Sequence, residues 1–143
     1  MRFLQFFALT AAIITTSGCA TAPTWGNKGP GEFTTSKGRI TCYTDANMID
    51  GERMEGTLCA TNESNFLGGG EPEIQFGPWN TRFIRALSSK TTAGINKDYN
   101  GKNIFLKCDP ILTADLQKEI GRNCSVTVNN QNLVSAKINF GNQ

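Results

Sequence analysis

The sequence predicts an α+β fold, in which an antiparallel β-sheet of five to seven strands is covered by one helix near residues 110–121. Several short segments alternate apolar and polar residues, which is typical of half-buried strands. Between them, an Asp-Pro pair precedes apolar residues that recur every four positions, which is typical of an amphipathic helix. A β-sandwich or a small barrel is the alternative fold.

Residues 1–18 have the features of a secretory signal peptide. Arg2 supplies a positive charge, and a mostly apolar run follows it at residues 3–14. As a helix this run would span about 18 Å, whereas the hydrocarbon core of a bilayer is about 30 Å thick. The sequence therefore predicts a cleaved signal rather than a membrane span.

Small residues at 15–18 lead into a single cysteine, Cys19. This segment resembles the lipobox of bacterial lipoprotein precursors. The resemblance implies that the Cys19 thiol is diacylglycerated, that the signal is cut before it and that the new amino terminus is acylated, which gives a stable membrane anchor. Because Ala20 and not Asp follows, it also implies sorting to the outer membrane. An ordinary cleaved signal is the alternative.

Residues 19–31 are rich in Pro and Gly, which predicts a flexible tether. Its Trp25 could contact lipid headgroups, the domain or solvent. Residues 32–143 are long enough for one globular domain. Arg2 leaves with the signal, so the mature chain is nearly neutral, and no nucleic-acid partner is expected.

The first half of the domain predicts a hairpin. Residues 33–43 and 53–61 have strand patterns, and the turn-forming residues at 45–51 predict a loop between them.

A Gly-rich loop at 68–70 and a short strand at 71–76 follow. Residues 80–89 fit either an edge strand or a short helix near 81–88, and the pattern favours the helix.

Asn100-Gly101 is the clearest turn signal, because a two-residue type I′ hairpin needs positive φ at both positions. Pairing outward from it sets Ile95 opposite Leu106. After this hairpin, Asp109 is the predicted cap of the helix and Pro110 its first residue. Its apolar face and its end are predicted from Leu112, Leu116, Ile120 and Gly121.

Two further alternating segments predict a final hairpin. For the apolar residues of both arms to share one face, the loop must hold three residues, 130–132, with Asn132 left-handed.

Four cysteines beyond Cys19 indicate two disulfides in an oxidising compartment. They allow three connectivities. We expect Cys42 to pair with Cys59 and Cys108 with Cys124, because each pair flanks one compact unit.

The chain contains no His, which removes Ser-His and Cys-His catalysis and His-ligated metals, and no cofactor or metal is predicted. The leading prediction is therefore a non-enzymatic envelope lipoprotein, held in the outer membrane by its lipid, that binds an envelope protein. Trp79, Arg82, Phe83 and Arg85 are the candidate contact residues, since interfaces favour Trp and Arg; the alternative is that the aromatic residues are core. The competing function is a hydrolase of envelope glycan that uses Glu71 and Glu73 as an acid/base pair.

Overall fold

The computed structural model describes residues 27–63, 69–78 and 81–141. The predicted signal peptide, Cys19 and most of the predicted tether lie outside these ranges. The described residues form nine strands and one 3₁₀ turn. They are β1 (Gly31–Thr34), β2 (Thr41–Ile49), β3 (Glu52–Thr61), β4 (Glu73–Pro78), β5 (Ile84–Leu87), the 3₁₀ turn η1 (Ser88–Thr91), β6 (Ile95–Tyr99), β7 (Lys102–Leu112), β8 (Glu119–Val128) and β9 (Gln131–Asn139).

The strands form two sheets that share one apolar core. The five-stranded sheet has the order β1-β9-β8-β7-β6, and the four-stranded sheet has the order β2-β3-β4-β5. All neighbours are antiparallel except β1, which is parallel to β9. The largest fully buried side chains come from both sheets and include Leu58, Phe76, Leu106 and Ile138. The fold is a β-sandwich, so the predicted α+β fold is wrong and its stated alternative is correct.

The helix predicted at 110–121 does not form. Residues 110–112 are the last of β7, a turn follows, and Glu119 begins β8. The strand β6 pairs with β7 only as far as Leu106. Beyond Leu106 this edge of β7 has no neighbouring strand. Pro110 lies in this unpaired part, where a strand tolerates proline because no partner requires a backbone N–H from it.

The short helix predicted near 81–88 is also wrong. Residues 84–87 form the edge strand β5, in which Ile84 is buried and Arg85 is exposed, and they pair with β4. The only helical residues described nearby are the single 3₁₀ turn η1.

The register predicted around Asn100-Gly101 is confirmed. These residues have φ values of 50° and 76°, and Ile95 lies opposite Leu106. The loop predicted at 45–51 is wrong, because β2 continues to Ile49 and only Asp50-Gly51 turn the chain.

The side chain of Asp45 explains this error. It is buried, and its carboxylate accepts hydrogen bonds from the backbone N–H groups of Ala46 at 2.8 Å and Lys28 at 2.9 Å. This turn-forming residue type therefore binds the segment before β1 instead of forming a turn.

The last hairpin reaches its register by a different route from the predicted one. Its turn is Asn129-Asn130, with φ values of 48° and 63°, and Asn132 is not left-handed. Val126 pairs with Val134 and Thr127 with Asn132, so Leu133 is an extra residue in β9. This β-bulge lets the apolar residues of β8 and β9 face the same side, and it buries Leu133 as well as the adjacent Val134.

The structure contains both expected disulfides, each between directly opposed residues of a hairpin. Cys108 and Cys124 are buried in the core. Cys42 lies on the edge strand β2 and is exposed, while Cys59 is buried.

Candidate interaction surface

The ends of most strands meet at one end of the sandwich. Here β2, β4 and β8 begin and β3, β5, β7 and β9 end. The two sheets are joined here through Asn62, which follows β3: it accepts a hydrogen bond from the Thr35 hydroxyl and donates from Nδ2 to Gly141 O at 3.4 Å. We call this region the apolar end, because exposed apolar side chains collect there.

Most of the exposed large apolar side chains lie at the apolar end. Among the residues that the structure describes, six such side chains are exposed, and five of them are here: Ile40, Leu87, Leu112, Leu116 and Ile120. Leu116 is the most exposed, at 73%. The sixth, Met48, is 57% exposed and lies next to the turn at the opposite end. This uneven distribution is typical of an interaction surface.

The loop between β7 and β8 is held by its own hydrogen bonds. Thr113 N donates to Lys118 O and Leu116 N donates to Thr113 O, both at 2.8 Å. The Asp115 carboxylate accepts from the Thr113 hydroxyl and from Gln117 N. These two hydrogen bonds, the Thr113 one foremost, lower the pKa of Asp115, so its carboxylate is ionised at neutral pH.

A shallow open cleft of about 320 Å³ lies beside this loop. It is lined by Glu71, Pro72, Ser88, Ser89, Gln117, Lys118, Glu119 and Phe140. The Glu71 carboxylate accepts from the Ser88 hydroxyl at 2.9 Å and from Ser89 N. Burial alone would raise the pKa of Glu71, but the hydrogen bonds from Ser89 and Ser88 and the charge of Arg122 outweigh it and lower the pKa.

Arg122 supports the apolar end from inside. Its side chain is only 4% exposed. It donates to both carboxylate oxygens of Glu119, at 2.7 and 2.8 Å, to the Thr92 hydroxyl at 2.7 Å and to Cys108 O at 3.2 Å. Arg122 therefore ties the segment after η1 to both β7 and β8.

Sequence reasoning missed Arg122, since it follows the predicted helix. The available signal was its parity, because Arg122 alternates in step with Cys124, Val126 and Val128, which all point inward. An arginine on an inward parity requires buried partners.

The candidate contact residues predicted from the sequence have separate environments. Trp79 lies outside the described residues. Phe83 packs on the core and contacts the Tyr99 ring edge-on, with ring centroids 5.1 Å apart. Arg85 pairs with Glu73 at 3.0 Å, and Arg82 is exposed.

The proposed acid/base pair also binds two separate sets of partners. Glu73 accepts from Arg85 and from Gln75, whereas Glu71 accepts from Ser88 and Ser89. A general acid needs a raised pKa, and the pKa of Glu71 is lowered. The arrangement gives no support to paired carboxylate catalysis.

Within residues 27–63, 69–78 and 81–141, no group of three or more His, Cys, Asp or Glu side chains is arranged to hold a metal ion. In the same ranges no helix is long and apolar enough to cross a bilayer. Comparison with protein-family models, with curated proteins and with solved structures gave no match.

Proposed function

We propose that this chain is a lipoprotein of the bacterial cell envelope, anchored in the outer membrane through Cys19, that binds an envelope protein through its apolar end. It acts as a non-enzymatic accessory module. The observation that carries the binding role is the collection of five exposed large apolar side chains at one end of the sandwich. The anchor is supported by the resemblance of the segment before Cys19 to a lipobox.

Two features of the fold support this role. The disulfides suit a protein exported to an oxidising compartment. The loop that displays Leu116 is fixed by hydrogen bonds and backed by Arg122, so little order remains to be imposed when a partner binds.

Labelling with a clickable fatty acid tests the anchor. The expressed chain is expected to carry the label, and Cys19→Ser is expected to abolish it. An unlabelled wild-type chain would contradict the anchor and leave the binding role to be judged separately.

Crosslinking tests the binding role. A photoreactive amino acid at Gln117, in the apolar end, is compared in intact cells with the same amino acid at Met48, near the opposite end. We expect one captured protein from Gln117 and none from Met48, and the captured protein, once purified, should bind the purified chain. Capture only from Met48, or cleavage of envelope glycan by the purified chain, would refute the proposal.

A further inference from the structure

Leu116 has a backbone conformation that its residue type disfavours. Its φ is +59°, in the left-handed region where Gly and Asn are preferred. The same residue also exposes 73% of its apolar side chain to water. Both properties disfavour leucine at this position.

Leucine brings the described fold no visible benefit in return. The turn uses only backbone atoms of Leu116, through its N–H to Thr113 O at 2.8 Å. Its side chain is absent from the apolar core and from the half-buried side chains packed on it. Gly or Asn would form the same turn with less strain, and a residue that breaks a local preference without a structural gain indicates a functional site.

We infer that Leu116 is the principal contact of the apolar end and inserts into an apolar pocket on a protein partner. The inference rests on the proposed function and specifies its interface. Because the backbone of Leu116 is already ordered by the hydrogen bonds of its loop, little further entropy is lost when a partner's pocket closes around its side chain.

The charges around Leu116 favour a protein over a lipid surface. The ionised carboxylate of Asp115 is its immediate neighbour, and that of Glu71 lies in the adjoining cleft. Anionic headgroups would repel both, and hydrocarbon offers no donor to replace their water. Lys118 lies on the same cleft, so the end carries both signs of charge, which a protein surface can match group by group.

The test compares two matched substitutions in the full chain. Leu116→Asn removes the apolar side chain and keeps a residue type that accepts left-handed φ, and Met48→Asn makes the same chemical change near the opposite end. Binding is measured between each purified Cys19→Ser chain and the protein captured from Gln117. We expect Leu116→Asn to weaken binding by about tenfold or more and Met48→Asn to leave it unchanged.

Thermal unfolding is the second readout, and Leu116→Asn is expected to be at least as stable as the parent chain. A Leu116→Asn chain that binds as tightly as the parent overturns the inference, while capture from Gln117 still supports the proposed function. No capture from Gln117 overturns both.

Flotation with vesicles of phosphatidylethanolamine and phosphatidylglycerol tests whether the apolar end binds a membrane and not a protein. Residues 19–143 with Cys19→Ser, expressed without the signal segment, are expected to stay unbound. If the parent chain binds vesicles and Leu116→Asn abolishes that binding, Leu116 contacts lipid, and the inference of a protein partner is wrong.

Discussion

The guanidinium of Arg122 binds both carboxylate oxygens of Glu119, three residues earlier on the same strand, at 2.7 and 2.8 Å. Replacing Glu119 by Gln removes the carboxylate that is hydrogen-bonded to this buried charge. We expect Glu119→Gln to lower the free energy of unfolding by about 2 kcal/mol, below the range for a fully buried pair because Glu119 is partly exposed. Urea denaturation measures this.

The exposed ion pair of Lys137 with Glu32, at 3.0 Å, is the control. Glu32→Gln is expected to lower the free energy of unfolding much less than Glu119→Gln does, because water screens exposed pairs. Equal losses in the two variants would mean that Arg122 does not depend on Glu119.

The two disulfides should differ in their reaction with a mild reductant. Cys42 is exposed on an edge strand, whereas Cys108 and Cys124 are both buried in the core. Since exchange requires access to a sulfur, we expect Cys42–Cys59 to be reduced first in the folded protein. Alkylation followed by peptide mapping measures the order, and earlier labelling of Cys108 or Cys124 would contradict it.

Gly56 and Leu133 are predicted to be coupled across the two sheets. A Cβ on Gly56 would lie 2.7 Å from Leu133 Cδ2 and 2.9 Å from Phe76 Cε2, and both distances are too short. We expect Gly56→Ala to cost about 1 to 3 kcal/mol. In combination with Leu133→Ala the losses should be less than additive by about 1 kcal/mol, because the smaller side chain makes room.

Phe105, which packs near Gly94, gives the control for this pair. Gly56→Ala and Phe105→Ala are expected to be additive. Additivity of the Gly56 and Leu133 variants in urea denaturation would place Leu133 away from Gly56 and contradict the bulge in β9.

The pKa of Glu71 predicts part of the acid sensitivity. Because its pKa is lower in the folded protein than its ordinary value of 4.5, the unfolded chain takes up the proton first. The stability that Glu71 contributes is therefore present above about pH 4.5 and is lost as the pH falls through the lowered value. Glu71→Gln should reduce the dependence of unfolding free energy on pH below 4.5.

Ser88→Ala removes one of the donors to Glu71 and should have an intermediate effect. Parallel acid unfolding curves for the parent chain and Glu71→Gln would show that the carboxylate is not stabilised in the fold.

Local chemistry was sufficient to predict the hairpin at Asn100-Gly101 and the disulfide pairing. Asn100-Gly101 fixes its turn because few other residue pairs accept positive φ twice, and the register follows from that turn. Cys42 and Cys59 lie on the two arms of one hairpin, which brings them together without any long-range information.

The helix prediction failed because apolar residues spaced four apart can lie on one face of a helix or at the end of a β-hairpin. Leu112, Leu116 and Ile120 recur every four residues, as on a helix face. In the structure they lie at the end of a hairpin, where β7 and β8 pair over a long stretch that no local pattern reveals. Tertiary pairing outweighed local propensity here.

The site could be predicted only in part. The exposure of Leu116 depends on that hairpin, and the partners of Arg122 come from β8 itself, from Cys108 on β7 and from the segment after η1. Long-range pairing brings the Thr92 hydroxyl and the Cys108 carbonyl to Arg122, so sequence spacing could reveal only its local partner Glu119.

The parallel pairing of β1 with β9 has a mechanical consequence for a chain held at Cys19. A pull on the lipid would act first on Lys28 and Gly29, which are hydrogen-bonded to Asp45 and Tyr43 of β2, and then on the four-residue pairing of β1. If β1 detaches, residues 27–34 join the tether and extend its reach by about 27 Å. The other eight strands are paired among themselves without β1, so in the proposed lipoprotein β1 would act as an extensible link between the membrane and the partner.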